Sequence, residues 1–185
     1  MSKVITVWGS PGSGKSMFCC ILAKALTRDK QKAIIINADI SVPMLPVWLP
    51  EQMIETGASI GHVLTSVDID TTLVASKVTV LKSYPFIGLM GYTAGENPLS
   101  YPEIRYEMVL RLIESAAKLV DFVICDCSSN TVSYTHLDVY KRQLLQSLCD
   151  RHAGPEHGRL HHPAGPERGQ ALHSYDCVIV DETSR

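Results

Sequence analysis

The sequence lacks the features that mark membrane, secreted and strongly charged proteins. None of its apolar runs approaches the ~18 residues of a membrane span, so no span is predicted. Met1-Ser2-Lys3 leads directly into a strand-like stretch without the apolar region of a signal peptide, which favours a cytoplasmic location. The formal net charge of −2 gives no electrostatic reason to expect binding to nucleic acid or to an anionic membrane.

The cysteines do not have the spacing of a zinc site, although the chain contains six of them. Cys19 and Cys20 are neighbours in a predicted helix, and Cys125 and Cys127 lie in or beside a predicted strand. We interpret the cysteines as reduced thiols that serve as small core residues.

Short apolar runs alternate with helical patterns over the first ~130 residues. The predicted strands cover 4–8, 33–36, 78–82, 86–90 and 122–125, and the predicted helices cover 15–28, 52–67 (as one or two helices) and 100–119. Strands that are apolar on both sides favour a parallel sheet covered by helices on each face. The predicted fold class is therefore α/β, a mostly parallel, doubly wound sheet of the Rossmann-like P-loop NTPase type, incomplete at its C-terminal end.

Two of the helices carry more detailed predictions. The first should bury one face at helical spacing, formed by Met17, Phe18, Ile21, Leu22, Ala25 and Leu26. The last should begin with a capping box of Ser100 and Glu103, with Pro102 in its first turn.

A phosphate-binding motif follows the first strand and opens the first helix. Residues 9–16, GSPGSGKS, match G-x-x-x-x-G-K-[ST] in full. Glycines let the backbone N–H groups turn inward on phosphates, and the helix N-terminus adds partial positive charge. Lys15 should reach the β- and γ-phosphates, and the Ser16 hydroxyl should complete the coordination of Mg²⁺. The predicted nucleotide-binding residues are Gly9, Ser10, Pro11, Gly12, Ser13, Gly14, Lys15, Ser16 and Met17.

Two aspartates at strand ends are candidates to complete this site. Asp126 ends the strand 122–125 and is predicted to hold Mg²⁺ with Ser16, in the Walker B arrangement. Asp39, just past the second strand, could orient an attacking water or reach the metal, which would make it catalytic together with Lys15. The structural alternatives are a polar strand end for Asp126 and a helix cap or loop residue for Asp39.

Together these residues resemble the ParA/MinD group of P-loop ATPases over residues 3–130. Ile34–Asp39 resembles the group's "hhhDxD" stretch, with Asn37 in place of the first Asp, and Asp126-Cys127-Ser128-Ser129 resembles its "DCPP"-like region. The resemblance implies ATP and Mg²⁺ as cofactors and Asp126 as the carboxylate on the Mg²⁺ side. It also implies a role for Asp39 in hydrolysis and in switch movement.

One position departs from the group. Its P-loop carries an early lysine that reaches across a nucleotide-sandwich dimer, whereas Ser10 stands at that position here. The resemblance implies a nucleotide-dependent homodimer, but the lysine contact across its interface, and the sandwich mechanism that uses this contact, are not expected here. Nucleotide binding does not depend on it.

The character of the chain changes after Asn130, so we expect a nucleotide-binding domain over 1–130 and a non-native or disordered tail over 131–185. Residues 132–143, VSYTHLDVYKRQ, resemble a translated adapter sequence, and 150–173 are rich in His, Pro and Gly. A short strand-like segment, 176–181, ends in a second Walker B-like pattern. A chimeric chain explains this duplication better than a second active site.

Three functional hypotheses follow from the sequence. The first is an Mg²⁺-ATP-hydrolysing switch whose loops after Asp39 and Asp126 are recognised by a partner protein. The second is a P-loop kinase or nucleotide-dependent synthetase that acts on an acceptor. The third is a truncated chimera that binds nucleotide without catalysis.

Overall fold

The computed structural model describes residues 2–8, 12–50, 53–54, 58–102, 104–127 and 177–180. The strands are β1 (Lys3–Val7), β2 (Ala33–Asn37), β3 (Thr79–Val80), β4 (Ile87–Gly91), β5 (Phe122–Asp126) and β6 (Cys177–Val180). The helices are α1 (Lys15–Leu26), α2 (Leu45–Trp48), α3 (Ile60–Leu64), α4 (Thr71–Lys77) and α5 (Tyr106–Ala117), and a 3-10 turn, Thr27–Asp29, follows α1.

The strands form one sheet in the order β3-β4-β2-β5-β1-β6. The four strands β4, β2, β5 and β1 run parallel to one another, and β3 and β6 pair antiparallel at the two edges. All five residues of β2 are buried, as expected for a central parallel strand covered on both faces. The predicted mostly parallel α/β sheet is confirmed.

Each face of the sheet carries its own core. Ile34 and Ile36 of β2 pack with the helices α3, α4 and α5, whereas Ala33 and Ile35 pack with α1 and α2. This division follows from the alternation of side chains along a strand. Helices therefore cover both faces, as a doubly wound sheet requires.

The buried face of α1 differs from the predicted one. Cys19 and Ala23 are fully buried, whereas Met17, Phe18 and Ile21 are 67%, 38% and 58% exposed. Cys19 and Ala23 are four residues apart, so they form one narrow strip, and their small side chains let the helix lie close to β2 and β5. Of the predicted face, Leu22 and Leu26 pack against this core, whereas the three exposed residues face solvent.

Helix boundaries elsewhere also depart from the sequence pattern. The short helix α4 was not predicted, and it is capped by Asp70, whose carboxylate accepts the N–H of Leu73 at 2.7 Å. The last helix begins at Tyr106, six residues later than expected. The predicted capping box is wrong for Ser100, whose hydroxyl instead accepts the N–H of Asn97 at 3.0 Å; Glu103 lies outside the described residues.

A polar network ties the loop after β4 to α3. The carboxylate of Glu96 accepts the Ser59 hydroxyl at 2.7 Å, the Thr93 N–H at 2.6 Å and the hydroxyl of Tyr101. Ser59 also caps α3 by accepting the N–H of Gly61 at 3.1 Å. The ring of Tyr101 lies directly against Gly61.

The expectations for 128–176, including the adapter-like and His-rich stretches, lie outside the described residues. The strand expected at 176–181 is present as β6 at Cys177–Val180, paired with β1. Across the described part of the chain, every helix is too short or too polar to cross a membrane.

Candidate functional site

Four strand ends meet in one row at the carboxyl edge of the sheet. Asp126 of β5 pairs with Val7 of β1 on one side and with Asn37 of β2 on the other, and Asn37 pairs in turn with Gly91 of β4. Ligands of open α/β sheets bind at this edge. The two polar residues of the row therefore lie where a site is expected.

The phosphate-binding loop joins β1 to α1, and its second half is described. Gly12 and Gly14 have φ angles of +73° and +83°, a conformation that glycine adopts without strain. Gly9, Ser10 and Pro11 lie outside the described residues. The Ser13 hydroxyl oxygen is buried and makes no hydrogen bond with the part of the chain that the structure describes.

The start of α1 presents backbone donors to this loop. The first helical hydrogen bond runs from the Phe18 N–H to the Gly14 carbonyl at 2.8 Å. Gly14 is the N-cap residue and has no side chain to satisfy the N–H groups of the first turn, which includes the exposed Met17. Such a helix start is suited to an anionic ligand.

Asp126 is the buried acid of the site, with 1% of its surface exposed. It accepts hydrogen bonds from the Ser16 hydroxyl and from Asn37 Nδ2, the latter at 3.0 Å. Burial raises the pKa of the Asp126 carboxyl; the two hydrogen bonds and the charge of Lys15 oppose this shift, and the nearby charge of Asp39 adds to it. Lys15, Ser16 and Asp126, which sequence analysis combined in one site, are close together in the fold.

Asp39 lies near this cluster but is tied into its own loop. Its Oδ1 accepts the N–H groups of Ser41 and Val42 at 3.0 and 3.2 Å. This is the local turn geometry that short acidic side chains favour. Its carboxylate is near enough to raise the pKa of Asp126, and its catalytic role stays a prediction.

Asn37 is the site residue that sequence reasoning did not assign a role. Its side chain is 1% exposed and uses both ends of its amide: Nδ2 donates to Asp126, and Oδ1 accepts the Met44 N–H at 3.1 Å. The available signal was its position, since Asn37 replaces the first acid of the "hhhDxD" pattern at the end of a buried strand.

Solved structures share this arrangement of strands and helices. A ParA family ATPase from Chlorobium tepidum TLS is similar at a TM-score of 0.59 and 20% identity, over 80% of this chain and 64% of that one. The chain has the fold of the ParA-type P-loop ATPases. Cobyrinic acid a,c-diamide synthase from Mycobacterium smegmatis, with bound ATP analog and magnesium, is similar at 0.54 and 18%, over 70% of this chain and 52% of that one.

The chain thus spans about half to two thirds of the length of these structures. No protein-family model matches the sequence, and no curated protein matches it. The predicted resemblance to the ParA/MinD group is confirmed at the level of the fold.

Within this ParA-type fold, the cysteines near the site are packing residues. Cys19, Cys20, Cys125 and Cys127 are thiols rather than disulfides, and all but Cys20 are buried. Burial, assisted by the charge of Asp126, raises the pKa of the Cys19 thiol, so this side chain stays neutral at pH 7. A neutral, buried thiol is a poor nucleophile or metal ligand.

The donor set of the site suits a hard cation that also binds phosphate oxygens. The hydroxyl of Ser16 and the carboxylate of Asp126 are oxygen ligands of the type that Mg²⁺ prefers. Among the described residues, no group of three His, Cys, Asp or Glu side chains could hold a metal by itself. Protein sites for Mg²⁺ commonly supply one or two ligands and leave the rest to water and substrate phosphates, so the residues present fit this cation.

Proposed function

We propose that this chain binds Mg²⁺-ATP at the P-loop and hydrolyses it, as a nucleotide-dependent switch of the ParA/MinD-like kind. The observation that carries the proposal is the hydrogen bond between Ser16, the last residue of the phosphate-binding motif, and the buried carboxylate of Asp126. This bond supports a Mg²⁺ site, because it brings two oxygen atoms together near the charge of Lys15 at a helix N-terminus. The bound ATP analog and magnesium of the structurally similar synthase support the same ligand.

Each residue would have a distinct task. Lys15 and the loop N–H groups would stabilise negative charge on the transferring phosphoryl group, and Ser16 and Asp126 would hold Mg²⁺. When bound, the metal supplies positive charge against the phosphate oxygens. Asp39 would orient the attacking water, and the two N–H groups on its Oδ1 fix the direction of its carboxylate.

The proposal extends to the surroundings of the site. The loops after Asp39 and Asp126 would change with the bound nucleotide and be recognised by a partner protein or by a second copy of the chain. A cytoplasmic location is supported by the thiol state of the four described cysteines, which a reducing compartment maintains. Residues 1–130 would form the nucleotide-binding unit, because Lys15, Asp39 and Asp126 all precede Asn130.

The decisive experiment measures phosphate release from Mg²⁺-ATP by the full chain and by two lysine variants. Lys15→Ala should lower turnover by about 10²-fold or more, the usual cost of losing a donor to transition-state charge. Lys24→Ala is the matched control, since Lys24 lies on the same helix but against the ring of Tyr84, 4.5 Å from its centroid. Equal turnover by all three proteins would mean that the activity does not arise at this P-loop.

A second candidate function is a nucleotide-dependent synthetase. It is favoured by the likeness to cobyrinic acid a,c-diamide synthase, which reaches a TM-score of 0.56 for the form with bound ADP and magnesium. The two functions differ in their need for an acceptor. Phosphate release without any acceptor supports the switch, whereas release that begins only when an acceptor acid is added supports the synthetase.

A further inference from the structure

The side-chain amide of Asn37 bonds two parts of the molecule, the Asp126 carboxylate at the end of β5 and the backbone at the start of α2. Nδ2 donates to Asp126 Oδ2 at 3.0 Å, and Oδ1 accepts the Met44 N–H at 3.1 Å. These partners fix the orientation of the amide, because an ionised carboxylate can only accept and a backbone N–H can only donate. Neither bond survives if the amide turns over.

Met44 is the N-cap residue of α2, so the second bond holds the start of that helix. The loop 38–43 therefore leaves the backbone of Asn37 and returns to its side chain. Within this loop, the turn at Ser41 and Val42 is closed by Asp39. A displacement of the Asn37 side chain would remove the hydrogen bond that holds the start of α2, although the Ala38 N–H would still donate to the Asp126 carbonyl at 2.9 Å.

The packing around Asn37 leaves little room for such a displacement. The side chain is 1% exposed, and a Cβ added at the neighbouring Gly91 would lie 3.3 Å from the Asn37 Cβ. On the other side, Asp126 is held by Ser16 of α1 as well as by Asn37. The Asp126 carboxylate thus lies between the Ser16 hydroxyl of α1 and the Asn37 amide of β2. The Asn37 amide also holds the start of α2 through Met44.

We propose that Asn37 is a positioning residue that couples the Asp126 carboxylate to the segment 38–48. Occupation of the P-loop by Mg²⁺-nucleotide then stabilises this segment, and the ordered segment in turn strengthens Mg²⁺-dependent nucleotide binding, since such coupling is reciprocal. The inference rests on the proposed binding of Mg²⁺-nucleotide. It adds the residue that carries the signal and the segment that receives it.

The test compares the full chain with two variants that cut the bridge at different places. Asn37→Leu removes both hydrogen bonds at similar volume. Met44→Pro removes only the N–H donor to Asn37; the φ of −90° at Met44 is near the range of proline. Val47→Ala is the control, because Val47 lies on α2 with 70% of its surface exposed.

Two quantities are measured with a non-hydrolysable ATP analogue. The first is its dissociation constant with Mg²⁺ and with EDTA, and the second is amide hydrogen exchange of 38–48 with and without Mg²⁺ and analogue. In the full chain and in Val47→Ala, we expect Mg²⁺ to strengthen binding by about tenfold, within the usual range of coupling between sites, and to slow exchange in the segment.

The variants should separate the two bonds. In Asn37→Leu, Mg²⁺ should change the dissociation constant by no more than about twofold and should no longer slow exchange in 38–48. The dissociation constant in EDTA should change little, because this variant loses the coupling and not the fold. Met44→Pro should lose the slowed exchange and, because the coupling is reciprocal, should reduce the Mg²⁺ effect only in part, since Asn37 still donates to Asp126. If Asn37→Leu does not fold, Met44→Pro decides by the exchange measurement.

Two results would overturn the inference in different ways. If the full chain shows Mg²⁺-dependent binding and a folded Asn37→Leu or Met44→Pro retains the slowed exchange, the coupling through Asn37 is wrong and the proposed function stands. If the full chain binds the analogue with no Mg²⁺ effect, the proposed function fails and the coupling fails with it.

Discussion

Gly61 lies so close to the ring of Tyr101 that any side chain at position 61 would overlap it. We expect Gly61→Ala to lower the free energy of unfolding by roughly 1–3 kcal/mol, the usual cost of overpacking. The loss arises because Tyr101 must move and give up its hydrogen bond to Glu96. It should outweigh the helix-propensity gain from alanine, which is at most about 1 kcal/mol in a helix interior and smaller in the first turn, where Gly61 lies.

Urea denaturation of four proteins checks this assignment. Gly61→Ala is measured alone and in a Tyr101→Ala background, with Tyr101→Ala and the full chain as references. In the background without the ring, Gly61→Ala should be neutral or stabilising. The same cost in both backgrounds would show that the ring is not the cause.

At the residue scale, the sequence predicted the chemistry of the site better than its connections. Lys15 and Ser16 follow from the motif, and Asp126 follows from its place at the end of an apolar strand. The bridge made by Asn37 was not predictable, because it depends on where the backbone of Met44 returns. Loop closure of this kind leaves no periodic pattern in a sequence.

At the scale of the element, the two fully buried residues of α1 are the small side chains Cys19 and Ala23. Ala23→Leu should lower the free energy of unfolding by roughly 1–3 kcal/mol, because the residue is fully buried and the larger side chain would push the helix off the sheet. Ile21→Gln, at a position 58% exposed, should change it by no more than about 0.5 kcal/mol. If the predicted apolar face were the buried one, with Ile21 inside, Ile21→Gln would lower the free energy of unfolding more than Ala23→Leu in the same denaturation measurement.

The elements differ in how far local sequence defines them. The strands β1, β2, β4 and β5 were predicted to within one residue at each end, since unbroken apolar runs of this length are typical of buried parallel strands. The buried face of α1 was not predicted correctly, because apolar residues cover more than half of the helix surface. Which of them are buried depends on how the helix packs on the sheet. The helix α5 begins late because the apparent cap at Ser100 belongs to a preceding turn.

At the scale of the whole molecule, the proposed site residues Lys15, Asp39 and Asp126 all precede Asn130, so the proposed unit 1–130 can be tested directly. A chain that ends at Asn130 keeps β1–β5 and α1–α5 and loses β6. At 100 times the dissociation constant, Mg²⁺-ATP should stabilise both this chain and the full chain by about 2.7 kcal/mol, the gain expected for binding to the folded state alone. Thermal unfolding with and without the ligand measures this gain.

The control for this comparison is Lys15→Ala in both lengths of chain, which should remove most of the ligand-induced rise in melting temperature. A rise in the full chain only would place residues beyond Asn130 in the binding unit. No rise in either chain would leave the protein without a nucleotide site.

The order of strands in the sheet has a consequence for how the protein is made. β1 and β2 are not neighbours; β5 lies between them, and the Asn37–Asp126 bond joins residues 89 positions apart. At about 5–20 residues per second, a ribosome needs several seconds to deliver β5 after β2 has emerged. During that interval the edges of β1 and β2 that β5 will cover have no partner, so their backbone N–H and C=O groups stay unpaired until β5 leaves the exit tunnel. The proposed nucleotide site therefore cannot form until β5 has been made, long after the P-loop motif of the same site.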